Sequence, residues 1–325
     1  MEGKKKAGIL ITLSGAICWG ISGCFGQFLF VEKNITAEWL VAIRLIFAGI
    51  LLIGLGLILQ KGKMWEIFKN KADMKQLLIF SLFGMLMCQY TYFAAIQHSN
   101  AGTATVLQSL NPLIILGVVC VKGMRFPNKV EVAAIIAAFL GTFLLSTHGD
   151  VYNMSLTGTA LFFGLGSALG AALYSLLSGE LMKKYGVYVV VGFAMFFAGI
   201  IMIPFVRPWN YEILWDSGTI MGVLGVVIIG TAVAFSLFLK GVSLVGPFLG
   251  SLLGNIEPVT AIIVSLLFLG SVFHPTELVG FILILGTVLG LSAYSGKGVK
   301  VKKKKIEYEI DQVRHRGRDL ECMGK

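Results

Sequence analysis

"SLNPLIILGVV" spans Ser109–Val119, and "GNIEPVTAIIVS" spans Gly254–Ser265. Each sets a proline beside a polar side chain, Asn111–Pro112 in the first and Glu257–Pro258 in the second. Both lie inside apolar runs long enough to cross a bilayer as a helix, which takes about 20 residues. A proline inside a helix removes one hydrogen bond and clashes with the carbonyl four residues earlier. Pro112 is therefore expected to free the Gln108 carbonyl, and Pro258 that of Gly254. In hydrocarbon a freed carbonyl must be satisfied by protein or by water in a cavity. The two stretches predict broken, polar helix centres at mid-membrane.

The composition around them agrees. Of 325 residues, 56% are hydrophobic and 14% charged, with a mean hydropathy of +0.84. Soluble domains carry about 25% charged residues, so the chain reads as a polytopic membrane protein. The five cysteines show no paired spacing for a disulfide framework or a zinc site and read as small packing residues. No cleavable signal is evident: the basic start at Lys4–Lys6 runs into an apolar segment long enough to be the first span.

Ten spans are predicted, at 8–29, 38–59, 76–97, 101–121, 130–146, 156–178, 187–206, 218–239, 245–269 and 276–295. Placing the N-terminus in the cytoplasm puts every lysine and arginine inside except Lys33, Arg44 and Arg207, as the positive-inside rule requires. An even number of spans then returns the basic tail to the cytoplasm. Trp39, Trp209 and Trp215 fall at the outer interface and Trp65 at the inner one. The net charge of +10 belongs to the inner face and reads as topology plus attraction to anionic lipid, not nucleic-acid binding.

The chain also repeats itself. "FAGI" at Phe47–Ile50 returns at Phe197–Ile200, and Asn111–Pro112 returns as Glu257–Pro258, 146 residues on. "LGT" at Leu140–Thr142 returns at Leu285–Thr287. The expected organisation is a five-helix repeat over 1–149, a second over 150–296 and a basic tail over 297–325. Five is odd, so the second copy enters the membrane from the opposite side. Inverted repeats are the architecture of many secondary transporters, with the site at the midplane between them.

Candidate cavity residues follow from depth and chemistry. Asn111 and Glu257 are span midpoints. Glu257 either hydrogen-bonds a freed carbonyl as a neutral acid, or carries a proton or meets a cationic group of a substrate. Arg44 is the other charge within a span; it either snorkels to the nearby interface or anchors a carboxylate. Trp19 is the one tryptophan far from both interfaces. Trp19, Tyr90 and Tyr174 carry polar donors that need partners in oil. Tyr92 and Phe235 are further inward candidates, and Gln89, Gln108 and Asn255 complete a polar lining. The ladder Gly246–Gly250–Gly254 and the pair Gly166–Gly170 are expected to pack helices closely.

There is no G-x-x-x-x-G-K-[ST] phosphate loop and no H-E-x-x-H, and the four histidines sit at loops or the tail. No catalytic residue, metal or cofactor is expected. Ten helices in two halves, the arginine in "AIRLIFAG" and the "NP" and "EP" centres resemble EamA-type members of the drug/metabolite transporter superfamily. The resemblance covers about 8–295. It implies export of small metabolites, often amino acids, without ATP, through a cavity lined by the first, third and fourth helices of each half. It further implies a bacterial inner membrane. The family's Gly-Glu pair after the fourth helix of each half is absent, since Gly123 precedes Met124 and Gly270 precedes Ser271. That leaves Glu257 as the carboxylate available for coupling.

The expectation is a non-enzymatic secondary transporter working by alternating access on a small-molecule substrate, with both termini cytoplasmic and a homodimer left open. A sugar-phosphate or nucleotide-sugar antiporter of the same superfamily would want convergent basic residues at the midplane, and only Arg44 lies within a span. A membrane enzyme or receptor would show clustered acids, histidines or cysteines at one face, which the sequence lacks.

Overall fold

The computed structural model describes residues 2–59, 64–150, 155–291 and 293–294, and no strand occurs among them. Lys61, Lys63 and the tail over 297–325 lie outside the described residues. Among the described residues, eight helices are long and apolar enough to cross a membrane. They are α1 (Glu2–Lys33), α2 (Ala37–Leu59), α3 (Lys71–His98), α4 (Ala101–Lys122), α5 (Lys129–Thr147), α6 (Gly158–Tyr185), α7 (Val187–Val206) and α8 (Ser217–Val245). Two shorter apolar helices follow. The first, α9, runs in two pieces, Pro247–Gly254 and Ile256–Phe268, and the second is α10 (Pro275–Leu291).

Polar caps set the starts. Asn70, Asn100, Thr157 and Asp216 each accept a first-turn backbone N–H of α3, α4, α6 and α8. Asn128 and Glu131 form a reciprocal capping box on α5. The chain leaves α6 at Gly186 (φ 86°) and α8 at Gly246 (φ 87°), conformations that a side chain resists. Gly246 is therefore a turn residue and not part of a packing ladder. Gly250 does meet a neighbour, the Val242 side chain, and Gly170 lies against the Cys88 backbone.

Two helices are locally unwound into π geometry, α3 at Phe80–Leu86 and α8 at Gly225–Val233. Two others are interrupted, α4 by the turn at Ser109–Leu110 and α9 by the turn at Asn255. The proline stretches are thus full breaks and not kinks: Pro112 sits in the first turn of the renewed helix, where its missing N–H costs nothing.

Helix contacts come in exchanged pairs. α1 packs on α8 and α9, while α6 packs on α3 and α4. A further extensive contact, α2 with α7, is reciprocal at the level of residues. A Cβ on Gly49 would sit 2.7 Å from the Phe196 backbone N, and one on Gly199 would sit 2.7 Å from the Ile46 side chain. These are the glycines of the two "FAGI" stretches. Trp209, Trp215 and Trp65 are exposed, as interfacial tryptophans are. Trp39 is buried, its indole N–H donating to the Pro208 carbonyl at 3.2 Å.

Candidate functional site

Both breaks open on one space. A cavity of about 290 Å³ is lined by Trp19 and Ser22 of α1, Arg44 of α2, and Cys88, Gln89 and Tyr92 of α3. Gln108 and Asn111 of α4, Tyr174 and Ser175 of α6, Phe235 of α8 and Glu257 of α9 complete it. An adjoining space of about 340 Å³ shares Trp19, Gln108, Asn111, Ser175 and Glu257 and adds Asn255, Phe238 and Thr105. Asn111 and Glu257 therefore face the same cavity.

Their side chains are used differently. Asn111 Nδ2 donates to the Gln108 carbonyl at 3.1 Å, so the break in α4 satisfies itself. Glu257 occupies the matching position in α9, yet its carboxyl makes no hydrogen bond among the described residues. A charged or hydrogen-bonding group in the cavity has an unoccupied partner there.

Arg44 does not snorkel. It is 4% exposed and reaches α8, where Nε donates to Thr231 Oγ1 at 3.4 Å and Nη2 to the Gly230 carbonyl at 3.3 Å. Both acceptors belong to the π segment, whose altered spacing presents backbone carbonyls to a neighbour. The guanidinium also lies 5.0 Å from the Phe93 ring centroid. Nη1 makes no hydrogen bond among the described residues, and Arg44 lines the cavity.

Trp19 meets Phe235 edge-on at 5.1 Å and Phe238 at 4.7 Å, forming an aromatic wall. Gln108 Nε2 lies 3.6 Å from Cys88 Sγ. On the side of the α1 C-terminus the cavity is sealed. Tyr92 Oη and Thr105 Oγ1 are 2.9 Å apart. Beyond them Gln27 accepts from Ala101 N and Ser265 Oγ, each at 2.8 Å, and donates to Ser271 Oγ at 2.8 Å. On the opposite side Ser175, which lines both spaces, is exposed.

Of the residues expected from sequence, Trp19, Arg44, Gln89, Gln108, Asn111, Tyr174, Phe235 and Glu257 line the central cavity, and Asn255 lines the adjoining one. Tyr90 does not. Its hydroxyl donates to Glu38 Oε1 at 3.2 Å, and its ring packs on Phe163. Tyr92, an inward candidate from the sequence, lines the cavity, and so do Ser22 and Cys88, which the sequence did not single out. Helical spacing contained part of that signal: Cys88 and Tyr92 are four apart and share a face, whereas Tyr90 falls on the far side of it.

Comparison with known proteins places this arrangement. The sequence profile of the EamA-like transporter family matches residues 6–147 and again 158–293. The "Uncharacterized inner membrane transporter YicL" of Salmonella typhimurium is 37% identical over 89% of this chain and 96% of its own length. The "Threonine/homoserine exporter RhtA" of Escherichia coli is 28% identical over 85% of this chain and 87% of its own. One crystal structure superposes with a TM-score of 0.60 at 14% identity, covering 90% of this chain and 98% of that one, a likeness of fold alone.

Proposed function

The chain belongs to the EamA-like transporter family, a membrane transporter family, and on that premise we propose that it is a secondary exporter of a small metabolite such as an amino acid. The observation that carries the reading is the cavity shared by Asn111 and Glu257, with the Glu257 carboxyl and one guanidinium nitrogen of Arg44 making no hydrogen bond among the described residues. A zwitterion fits these charges: its ammonium at Glu257, its carboxylate at Arg44, its side chain on Trp19 and Phe235. The name of the RhtA relative, a threonine/homoserine exporter, points to the same substrate class.

The transport cycle proposed is alternating access between two inverted five-helix repeats, ten transmembrane helices in all, with the two pieces of α9 together making one span. The exchanged helix pairs, the reciprocal Gly49 and Gly199 contacts and the π segments at matching places in α3 and α8 support this reading. A two-fold relation makes every contact between unlike elements occur twice. The charge bias supports cytoplasmic termini, and the name of the YicL relative, an inner membrane transporter, supports a bacterial inner membrane. On that topology the sealed end faces outward and the open end takes substrate from the cytoplasm. Rocking of one half on the other around Asn111, Glu257 and Trp19 would open the sealed end. The basic tail would then lie against anionic headgroups.

Purified protein in proteoliposomes, loaded with amino acids singly and assayed with and without a pH gradient, tests this. The expected result is efflux that saturates and falls when Glu257 is replaced by Gln. No transport of any amino acid would sink the substrate class. Unchanged rate and pH dependence in Glu257→Gln would remove Glu257 from the mechanism.

A further inference from the structure

The adjoining space of about 340 Å³ lies between the two helix breaks, and its polar lining has an uneven chemistry. The hydroxyls of Thr105, Ser109 and Ser175 each spend their one hydrogen on a carbonyl of their own helix, at 2.6, 2.6 and 3.0 Å. The amides also turn to backbone. Asn111 Nδ2 donates to the Gln108 carbonyl and Asn255 Nδ2 to the Leu252 carbonyl, at 3.1 and 3.4 Å. With these donors engaged, the lining offers the space chiefly oxygen lone pairs, which a donor or a cation must meet.

The break in α9 adds two further acceptors. Pro258 has no N–H, so the Gly254 carbonyl, four residues earlier, loses its helical partner. Among the described residues that carbonyl accepts no hydrogen bond, whereas its counterpart at Gln108 is taken by Asn111. Gly254 is partly exposed, and without a side chain that exposure belongs to its backbone. Glu257 is partly exposed as well, and both residues line the adjoining space. The carbonyls that end the piece Pro247–Gly254 also carry the negative end of its dipole.

Charge identifies what these oxygens hold. A carboxylate deep in a membrane protein is costly unless a counter-charge meets it. Arg44 turns Nε and Nη2 to α8, and no ion pair joins it to Glu257 among the described residues. One negative charge among neutral oxygens matches a monovalent cation, while a divalent ion would leave a positive charge uncompensated. The position is also held firmly: a Cβ on Gly20 of α1 would lie 2.6 Å from the Glu257 carbonyl oxygen, so α1 backs the break closely. Unwound carbonyls and half-helix C-terminal ends are how broken membrane helices coordinate coupling cations.

We propose that the break in α9 is a binding site for an alkali-metal ion, Na+ or K+, held by the Gly254 carbonyl oxygen and the Glu257 carboxylate, with water completing its shell in the adjoining space. The site shares Glu257 with the position proposed for a substrate ammonium, so ion and substrate take that carboxylate in turn. The ion site does not rest on the substrate reading. It is measured with no amino acid present, so amino-acid transport can fail while ion binding stands.

The test uses the purified full chain in detergent, in choline chloride at pH 8. It is titrated with radiolabelled Na+ and, in parallel, with radiolabelled Rb+ standing in for K+, and bound ion is counted by scintillation proximity. One of the two should bind saturably, one ion per chain, and the tighter of them names the ion. Glu257→Gln keeps the size of the side chain and removes its charge. Pro258→Ala restores an N–H for the Gly254 carbonyl and leaves Glu257 in place. Each should weaken binding about tenfold or more, the loss of one charge-assisted contact. If Pro258→Ala fails to show a cooperative melt, Glu257→Asp, which draws the carboxylate back by one methylene, replaces it with the same expectation. No saturable binding of either ion, or binding unchanged in folded Glu257→Gln, would overturn the site. Binding unchanged in folded Pro258→Ala would overturn the part given to the carbonyl.

Discussion

The Asn111 amide donates to the Gln108 carbonyl across the break in α4, at 3.1 Å. This closes the hydrogen-bonding deficit that Pro112 creates, from within the same helix. Glu257 takes the corresponding place in α9 and closes nothing. The two halves share a break but divide its uses: in α4 the polar side chain repairs the backbone, and in α9 it is left to the cavity.

Replacing Asn111 by Leu should therefore destabilise the fold by about 1–3 kcal/mol, the cost of a buried carbonyl left unpaired. Glu257→Gln removes no protein partner and should melt near the wild type. Thermal unfolding of both variants in the same detergent checks the contrast. Equal losses in the two would mean that the division of roles is wrong.

Arg44 bonds two acceptors on α8 at once, through Nε and Nη2. A lysine ammonium is a point donor on a different stem and cannot reproduce a planar fork. Arg44→Lys should consequently lose nearly as much stability as Arg44→Met, about 1–3 kcal/mol per acceptor left unpaired. A melting temperature for Arg44→Lys close to that of the wild type would show that the charge alone matters.

Gly49 and Gly54 lie one and a half turns apart on α2 but in opposite circumstances. A Cβ at Gly49 would meet the Phe196 backbone N at 2.7 Å, while one at Gly54 meets nothing within 4 Å. Gly49→Ala should lower stability because the α7 backbone cannot yield as a flexible side chain would. Gly54→Ala should raise it by about 0.5–1 kcal/mol, since alanine loses less chain entropy in a helix. Unfolding of the two alanine variants against the wild type measures both signs.

At the α8 N-terminus, Asp216 accepts from Lys33 Nζ at 2.6 Å and from the Thr219 N–H at 2.7 Å. The Lys33 bond, with Thr219 second, holds the Asp216 carboxyl down to about 2. A depressed acid contributes stability that is fully present above its unfolded value, about 3.9, and disappears as pH falls toward the folded one. Asp216→Asn keeps the cap, because asparagine serves that position as well, and removes the charge. The melting temperature of the wild type should exceed that of Asp216→Asn from pH 5 to 8, and the gap should close below pH 4. A gap independent of pH would exclude the ion pair as its source.

Much of this architecture was legible in a single chain. Crossing a bilayer is a local transaction, decided by the transfer of about 20 residues at a time, so the extent of α7 emerges from its own letters as Val187–Val206. The breaks in α4 and α9 were readable for the same reason, since proline acts on the carbonyl one turn away whatever surrounds it. The "FAGI" repeat likewise pointed to a place where two helices would be alike.

Which side of a helix meets the cavity is not local. The π segments in α3 and α8 shift the angular phase of everything after them. No propensity announces where an i+5 bond replaces an i+4 one; neighbouring packing decides it. That is why Tyr90 turned to Glu38 while Tyr92 lines the cavity, and why Arg44, two turns inside α2, reached across to Gly230 instead of up to the interface. The sequence alone determined which stretches prefer oil and near which prolines their backbones must break, because those free energies are local to the chain. Only the tertiary structure decided that Asn111 would spend its amide on Gln108 while Glu257 kept its carboxyl free, because that choice depends on atoms brought together from helices far apart in sequence.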